Sequence, residues 1–245
     1  MTTLRHKLIL QTRRLGIEDS LRSLHGLRSR SARRDRRDGR NLRLLLSLVL
    51  AEDACCIDIG ANMGVVLRDI ARIAPRGRHI AYEPLPDLAA ELAREFPQVD
   101  VRAAAVSDHV GEATFHRHKS RDTRSGLSAL EYEEAELERF PVRLEDIDSS
   151  LPGDFVPTLI KIDVEGAEEQ VIRGAAHTLA RHRPIVVFEH NVSARHFGTS
   201  SETLHGLFAA AGLRVFDIDG RGPYGASELA ELVDSGAMWT FVAHR

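Results

Sequence analysis

The chain has 245 residues, of which 43% are hydrophobic and 28% charged, with a formal net charge of −3. This suits one sizeable α/β domain and excludes a collagen-like, disulfide-stapled or disordered class. No apolar run approaches the ~20 residues of a membrane span, and no secretory core-and-cleavage pattern opens the chain, so the expected setting is cytoplasmic with no membrane partner.

Residues 4–28 carry leucines at helical spacing and predict one or two helices. Residues 29–40 read as a charged linker, and Asn41 as the cap of a helix through Leu50. Residues 1–40 hold 12 Lys/Arg against 4 Asp/Glu, net +8, while the remainder nets −11. Such a basic segment suits an anionic partner or a solvated surface. Without aromatic residues among the charges, nucleic acid is the less favoured partner.

From Cys55 the chain alternates strands (55–59, 78–83, 99–103, 158–163, 185–190, 213–217, 238–243) with helices (64–74, 86–96, 167–181, 201–211). That order predicts a mostly parallel sheet covered by helices on both faces. The adjacent Cys55 and Cys56 fall on the first strand and serve packing, with neither disulfide nor zinc spacing. Residues 107–150 interrupt the pattern. Thr114–His116 and Pro141–Arg143 read as short strands, and Glu131–Arg139 as a surface helix or loop. No long crossover helix is evident before the final strand, which is therefore expected to be antiparallel.

The chemistry gathers at strand ends. Ile57-Asp58-Ile59-Gly60-Ala61-Asn62-Met63-Gly64 is a strand, a glycine turn and a helix start, the layout that bares backbone to a small-molecule cofactor. A dinucleotide turn needs a glycine where Asp58 stands, and a carboxylate repels a pyrophosphate. Asp58 suits a cationic amino acid moiety, which favours S-adenosylmethionine over NAD. Glu83, ending the second strand beside Pro84, has two oxygens for two ribose hydroxyls. Asp163 and Glu165 end the fourth strand, where they are placed to orient the methionine amine, act as a general base or hold a divalent metal. Glu168 reads only as an acid at a helix N-terminus. Glu189 and His190 end the fifth strand. His190 has the unperturbed pKa of a base, and Glu189 could bracket a metal with Asp163.

Four blocks, IDIGANMG (57–64), AYEP (81–84), AAVSD (104–108) and IKIDVEGAEEQVIRGA (160–175), resemble the FkbM-type methyltransferases, S-adenosylmethionine-dependent enzymes. The resemblance implies a class I methyltransferase (Rossmann-like) fold, seven-stranded with its last strand antiparallel, over residues 51–245 behind a basic helical extension, 1–50. It implies cofactor contacts from Asp58, Gly60, Ala61, Asn62, Gly64 and Asp163, with ribose at Glu83 and Pro84. Ala105, Val106 and Ser107 would lie near the adenine, with Asp108 towards its amine and Ser125–Ser128 closing over the site. It also implies O-methylation of a sugar, polyketide or related secondary metabolite. Asp163, Glu165, Glu189 and His190, from their place at the strand ends, are the candidate catalytic groups. An RNA methyltransferase and a degenerate cofactor-binding module are the alternatives. Residues 1–50 suit either a cap over the acceptor or a homodimer contact.

Overall fold

The structure, a computed structural model, describes residues 30–118, 137–192, 194 and 198–245. The helices expected in 4–28, the loop Ser125–Ser128 and residues 131–136 lie outside the described residues. The chain forms two compact units, Met1–Leu44 and Leu45–Arg245.

Helix α1 (Arg30–Val49) runs unbroken through the segment read from sequence as a linker and a cap. Arginine is a strong helix former, no proline interrupts the run, and the single Gly39 costs only about 1 kcal/mol. Asn41 therefore sits inside a helix rather than capping one. Among the described residues no helix is long and apolar enough to cross a membrane.

In the second unit the elements follow in order β1 (Cys56–Ile59), α2 (Val65–Ile73), β2 (His79–Tyr82), α3 (Pro86–Glu95), β3 (Asp100–Arg102), β4 (Ala105–Val106), β5 (Gly111–His118) and β6 (Leu137–Glu145). Then come α4 (Ile147–Ser150), β7 (Leu159–Ile162), α5 (Glu168–Gly174), α6 (Ala176–His182), β8 (Ile185–Glu189), α7 (Ser201–Ala210), β9 (Arg214–Asp217), α8 (Ala226–Asp234) and β10 (Thr240–His244). All seven strands of the alternating pattern form one sheet in the order β3-β2-β1-β7-β8-β10-β9. Strand β10 runs antiparallel to both neighbours, and the other pairings are parallel. The order reverses direction between β1 and β7. Right-handed crossovers on either side of that point place helices on opposite faces and open a crevice at the carboxyl ends of the strands.

The interior strands bury every residue in β1, β2 and β7, as expected of strands covered on both sides. Cys56 is in this core, while Cys55 is only half-buried. Phe188 stacks between Phe208 and Phe241 under α7.

The interruption at 107–150 is a second, three-stranded sheet, β4-β6-β5, in which β5 and β6 pair antiparallel over eight residues. Residues 137–139 are strand here, not the predicted surface helix or loop. Alternation along Leu137–Glu145 turns Val142 and Leu144 inward against Ala105, Phe115 and Leu85, and that cross-strand burial decides the state. Arg102 pins this sheet to the main one, donating to Tyr82 Oη (2.8 Å), Glu145 Oε2 (3.1 Å) and the Ser150 carbonyl (3.1 Å).

Two other features escaped the sequence pattern. The predicted helix 167–181 is two short helices hinged at Ala175, and α8 precedes β10. Gly174 closes α5 against the loop after β4: a Cβ there would stand 2.0 Å from the Ser107 carbonyl oxygen. Gly174→Ala is expected to lower stability by about 1–3 kcal/mol, because backbone on both sides must shift. Urea denaturation checks this.

Candidate active site

Side chains alternate along a strand, so positions two apart share a face. The register pairs Asp58 with both Ala81 and Lys161, Lys161 with Val187, and Glu189 with Thr240. One step further towards the carboxyl ends, Glu83, Gly60, Asp163, Glu189 and Thr240 make a row across five strands. Lys161 and Asp58 lie just below it.

The glycine turn is held from beneath. Gly60, Asn62 and Gly64 all have positive φ (76°, 49° and 70°). A Cβ on Gly60 would stand 1.9 Å from the Asp163 carbonyl oxygen, so β1 and β7 close together only with glycine there. Gly64 is required for a different reason: its Cβ would meet Leu92 and Phe96, so it seats α2 on α3. The Asn62 N–H donates to Glu83 Oε2 (2.7 Å) and the Leu85 N–H, across Pro84, to Glu83 Oε1 (2.9 Å). The two bonds fix the carboxyl plane and leave each oxygen a further lone pair. Burial pushes Glu83 up to about 7, against these donors.

Lys161 is the residue that sequence reasoning missed. It is 7% exposed, in the middle of an apolar strand. Its ammonium donates to the Gly60 carbonyl (2.9 Å) and forms ion pairs with Asp58 Oδ1 (3.2 Å) and Asp163 Oδ2 (3.4 Å). Burial alone would lower its pKa; Asp58, Asp163 and Glu189 outweigh burial and hold it raised. A lone lysine in Ile160-Lys161-Ile162 was the available signal, since an interior strand has no water for a charge. Asp58 is 1% exposed and sits under the turn. Neither oxygen has a well-aligned hydrogen bond, leaving the Lys161 contact as an ion pair. Burial raises its pKa and Lys161 opposes the rise.

The remaining acids differ in setting. The Asp163 side chain is 32% exposed. Glu165 has a positive φ (56°), as does Gly166 (114°), so the chain doubles back between β7 and α5. Glu168 stands in the first turn of α5, as expected of an acid at a helix N-terminus, and is buried there. Its Oε1 accepts from the Gly166 N–H (2.9 Å), Oε2 has no partner, and burial pushes it up to about 7. Glu189 is pushed up to about 9, first by burial and then by Asp163, with Lys161 opposing. Burial and the Asp163 charge thus favour its protonated carboxyl, a form that can donate a hydrogen bond.

A carboxyl whose folded pKa lies above its unfolded one holds a proton that the unfolded chain has released. Its contribution to stability is present below the unfolded pKa and is lost as pH rises towards the folded one. Glu189 should therefore make the fold less stable as pH rises from the ordinary carboxylate range towards about 9. Thermal melts of Glu189→Gln across that range are expected to show a flatter alkaline decline than wild type; parallel curves would oppose the assignment.

His190 ends the same strand but points to the opposite face. Its Nε2 meets Ser201 Oγ (3.0 Å), and burial takes its pKa down to about 4. Strand alternation thus separates it from the Asp163–Glu189 row, and the base suggested by an unperturbed imidazole is a weak one. Ser107 is buried, with its N–H on the Glu145 carbonyl (2.8 Å), beside the short strand Ala105–Val106. Asp108 accepts from His109 Nδ1 (2.7 Å), which leads in lowering its pKa. Among the described residues no group of three or more His, Cys, Asp or Glu is arranged to hold a metal ion.

The methyltransferase FkbM domain matches residues 58–215, from Asp58 at the site to the sixth strand of the main sheet. The chain belongs to the FkbM methyltransferase family. Its fold is that of the class I S-adenosylmethionine-dependent methyltransferases. It is 41% identical over 100 residues to the AMB antimetabolite synthetase AmbE of Pseudomonas aeruginosa, across 39% of this chain and 5% of that protein. It is 28% identical over 159 residues to the 2-O-methyltransferase NoeI of Sinorhizobium fredii, across 58% of this chain and 65% of that one. The chain thus spans less than two thirds of the length of either relative. Among solved structures, an FkbM methyltransferase from Methylobacillus flagellatus aligns at TM-score 0.49 and 14% identity, over 80% of this chain and 44% of that one. The plantazolicin methyltransferase BpumL, solved with SAH, aligns at 0.45 and 10% identity, over 95% and 96%.

The site fits the cofactor of this family. The positive-φ turn at Gly60 ends β1 at the crevice, Glu83 presents oriented oxygens with spare lone pairs, and the row carries acids for a cation. The buried Asp58 stands where a pyrophosphate turn would need a glycine.

Proposed function

We propose that the chain is an S-adenosylmethionine-dependent O-methyltransferase acting on a hydroxyl of a small molecule such as a sugar, polyketide or related secondary metabolite. The observation that carries this reading is the acid row beside the glycine turn, with the partly exposed Asp163 in it. A methyltransferase family domain over most of the second unit supports the cofactor. The relative named as a 2-O-methyltransferase supports oxygen as the acceptor atom.

When bound, the cofactor supplies an electrophilic methyl group. Glu83 would take the ribose hydroxyls, and the turn through Gly60, Ala61 and Asn62 would lie against the amino acid end. Asp163 would accept the acceptor's hydroxyl proton as the oxygen–carbon bond forms, from a position that its ion pair with Lys161 fixes. Glu189, protonated, would donate a hydrogen bond and orient the acceptor, with Glu165 alongside. Most of the acceleration would then come from positioning. No step here requires a divalent metal.

Calorimetry with S-adenosylmethionine and, in parallel, NAD tests the cofactor: binding of the former alone is expected. On an acceptor found by screening sugars and polyketide alcohols, Asp163→Asn should cut kcat by about 10²–10⁴-fold, the range of a lost general base, and weaken cofactor binding far less. Equal small effects on both would oppose the role.

A further inference from the structure

The row of acids has a cation built into its floor. Lys161 donates to the Gly60 carbonyl and forms ion pairs with Asp58 and Asp163, so its ammonium is held by three contacts from β1, the glycine turn after it and the end of β7. Glu83, Asp58, Asp163 and Glu189 face it from β2, β1, β7 and β8, and Glu165 and Glu168 follow at the head of α5. A site that needed only to attract a positive ligand would have no use for a buried positive charge beneath its receptor groups, since burying that charge is itself unfavourable.

A cofactor carrying a sulfonium leaves as a thioether once its methyl is gone. One positive charge is therefore the electrostatic difference between what the site must take up and what it must release. A fixed cation under the site discriminates between the two. It disfavours the sulfonium and leaves the thioether untouched.

We propose that Lys161 is a specificity-determining residue of this site: its buried cation offsets the acid row and so narrows the preference for the charged cofactor over its neutral product. The proposal rests on the cofactor reading given above. It assigns Lys161 no proton transfer and no contact with the acceptor.

The test compares Asp58→Asn with the double variant Asp58→Asn/Lys161→Met. Lys161→Met by itself leaves the Asp58 carboxyl buried without its cation, whereas neither of the chosen variants does. Affinities for S-adenosylmethionine and S-adenosylhomocysteine are measured by calorimetry at fixed pH and salt, which gives a ratio independent of turnover. In Asp58→Asn the cation is less balanced, and the ratio should move towards the homocysteine ligand. Removing Lys161 in that background should move it back towards the methionine ligand by about tenfold, as expected for unit charges several ångströms apart in a partly desolvated site. A purely structural Lys161 would weaken both ligands in parallel; an unchanged ratio between the two variants overturns the proposal. Failure of the wild-type protein to bind either ligand overturns the cofactor reading itself, and this inference with it.

Discussion

Gly60→Ala is expected to abolish measurable cofactor binding, a loss of at least about 100-fold, while the protein still folds. Two independent constraints meet at this residue. Its φ of 76° is one that an L side chain tolerates at a cost of about 1 kcal/mol or more. Its Cβ would stand 1.9 Å from the Asp163 carbonyl oxygen, a contact that no rotamer can relieve because both groups are backbone. The turn must therefore lift off the end of β7. That movement strips the Gly60 carbonyl from Lys161 and carries Asn62 away from Glu83, so the turn and the ribose acid lose their alignment together. Stability should fall by about 2–4 kcal/mol, the range of an overpacked and strained backbone site. Gly153→Ala is the control: an added Cβ there meets nothing within 4 Å, and neither binding nor melting temperature should change appreciably. Retained affinity in a folded Gly60→Ala protein would place the cofactor elsewhere.

Lys161→Met is expected to be the most destabilising single substitution at the site, by about 3–5 kcal/mol, because it leaves one member of a buried ion pair behind. Asp58 is 1% exposed and its oxygens have no other well-aligned partner. The variant can relieve the defect by keeping Asp58 protonated, which raises the folded-state pKa further. A raised carboxyl pKa favours the fold at low pH and loses that advantage as pH rises, so the deficit should be larger at pH 8 than at pH 5. Adding Asp58→Asn should restore part of the loss, since replacing both partners of a buried pair is far less costly than removing one. Urea unfolding at the two pH values measures both effects. A deficit below about 1 kcal/mol would mean that water reaches the pair.

The local patterns in the chain determined a good deal. Short apolar runs separated by helical patterns, with the IDIGANMG turn and IKIDVEG, were enough for a seven-stranded, mostly parallel sheet. They also placed Gly60, Glu83 and Asp163 at one edge of it, because strand ends and positive-φ turns are written in neighbouring residues. Where non-local contacts decide, the local signal failed. Residues 137–139 joined a second sheet because Val142 and Leu144 meet Ala105 and Phe115 across it. Glu189 and His190 are adjacent in sequence yet face opposite sides of the sheet. Burial pushes the pKa of the first up and of the second down, away from the ordinary values of both side chains. Lys161 reads as one polar residue in an apolar strand. Only the register, which brings it to Asp58, 103 positions earlier in the chain, makes it the counter-charge of the site. Charge and burial are set by neighbours in space, and no spacing along the chain encodes a partner a hundred residues away.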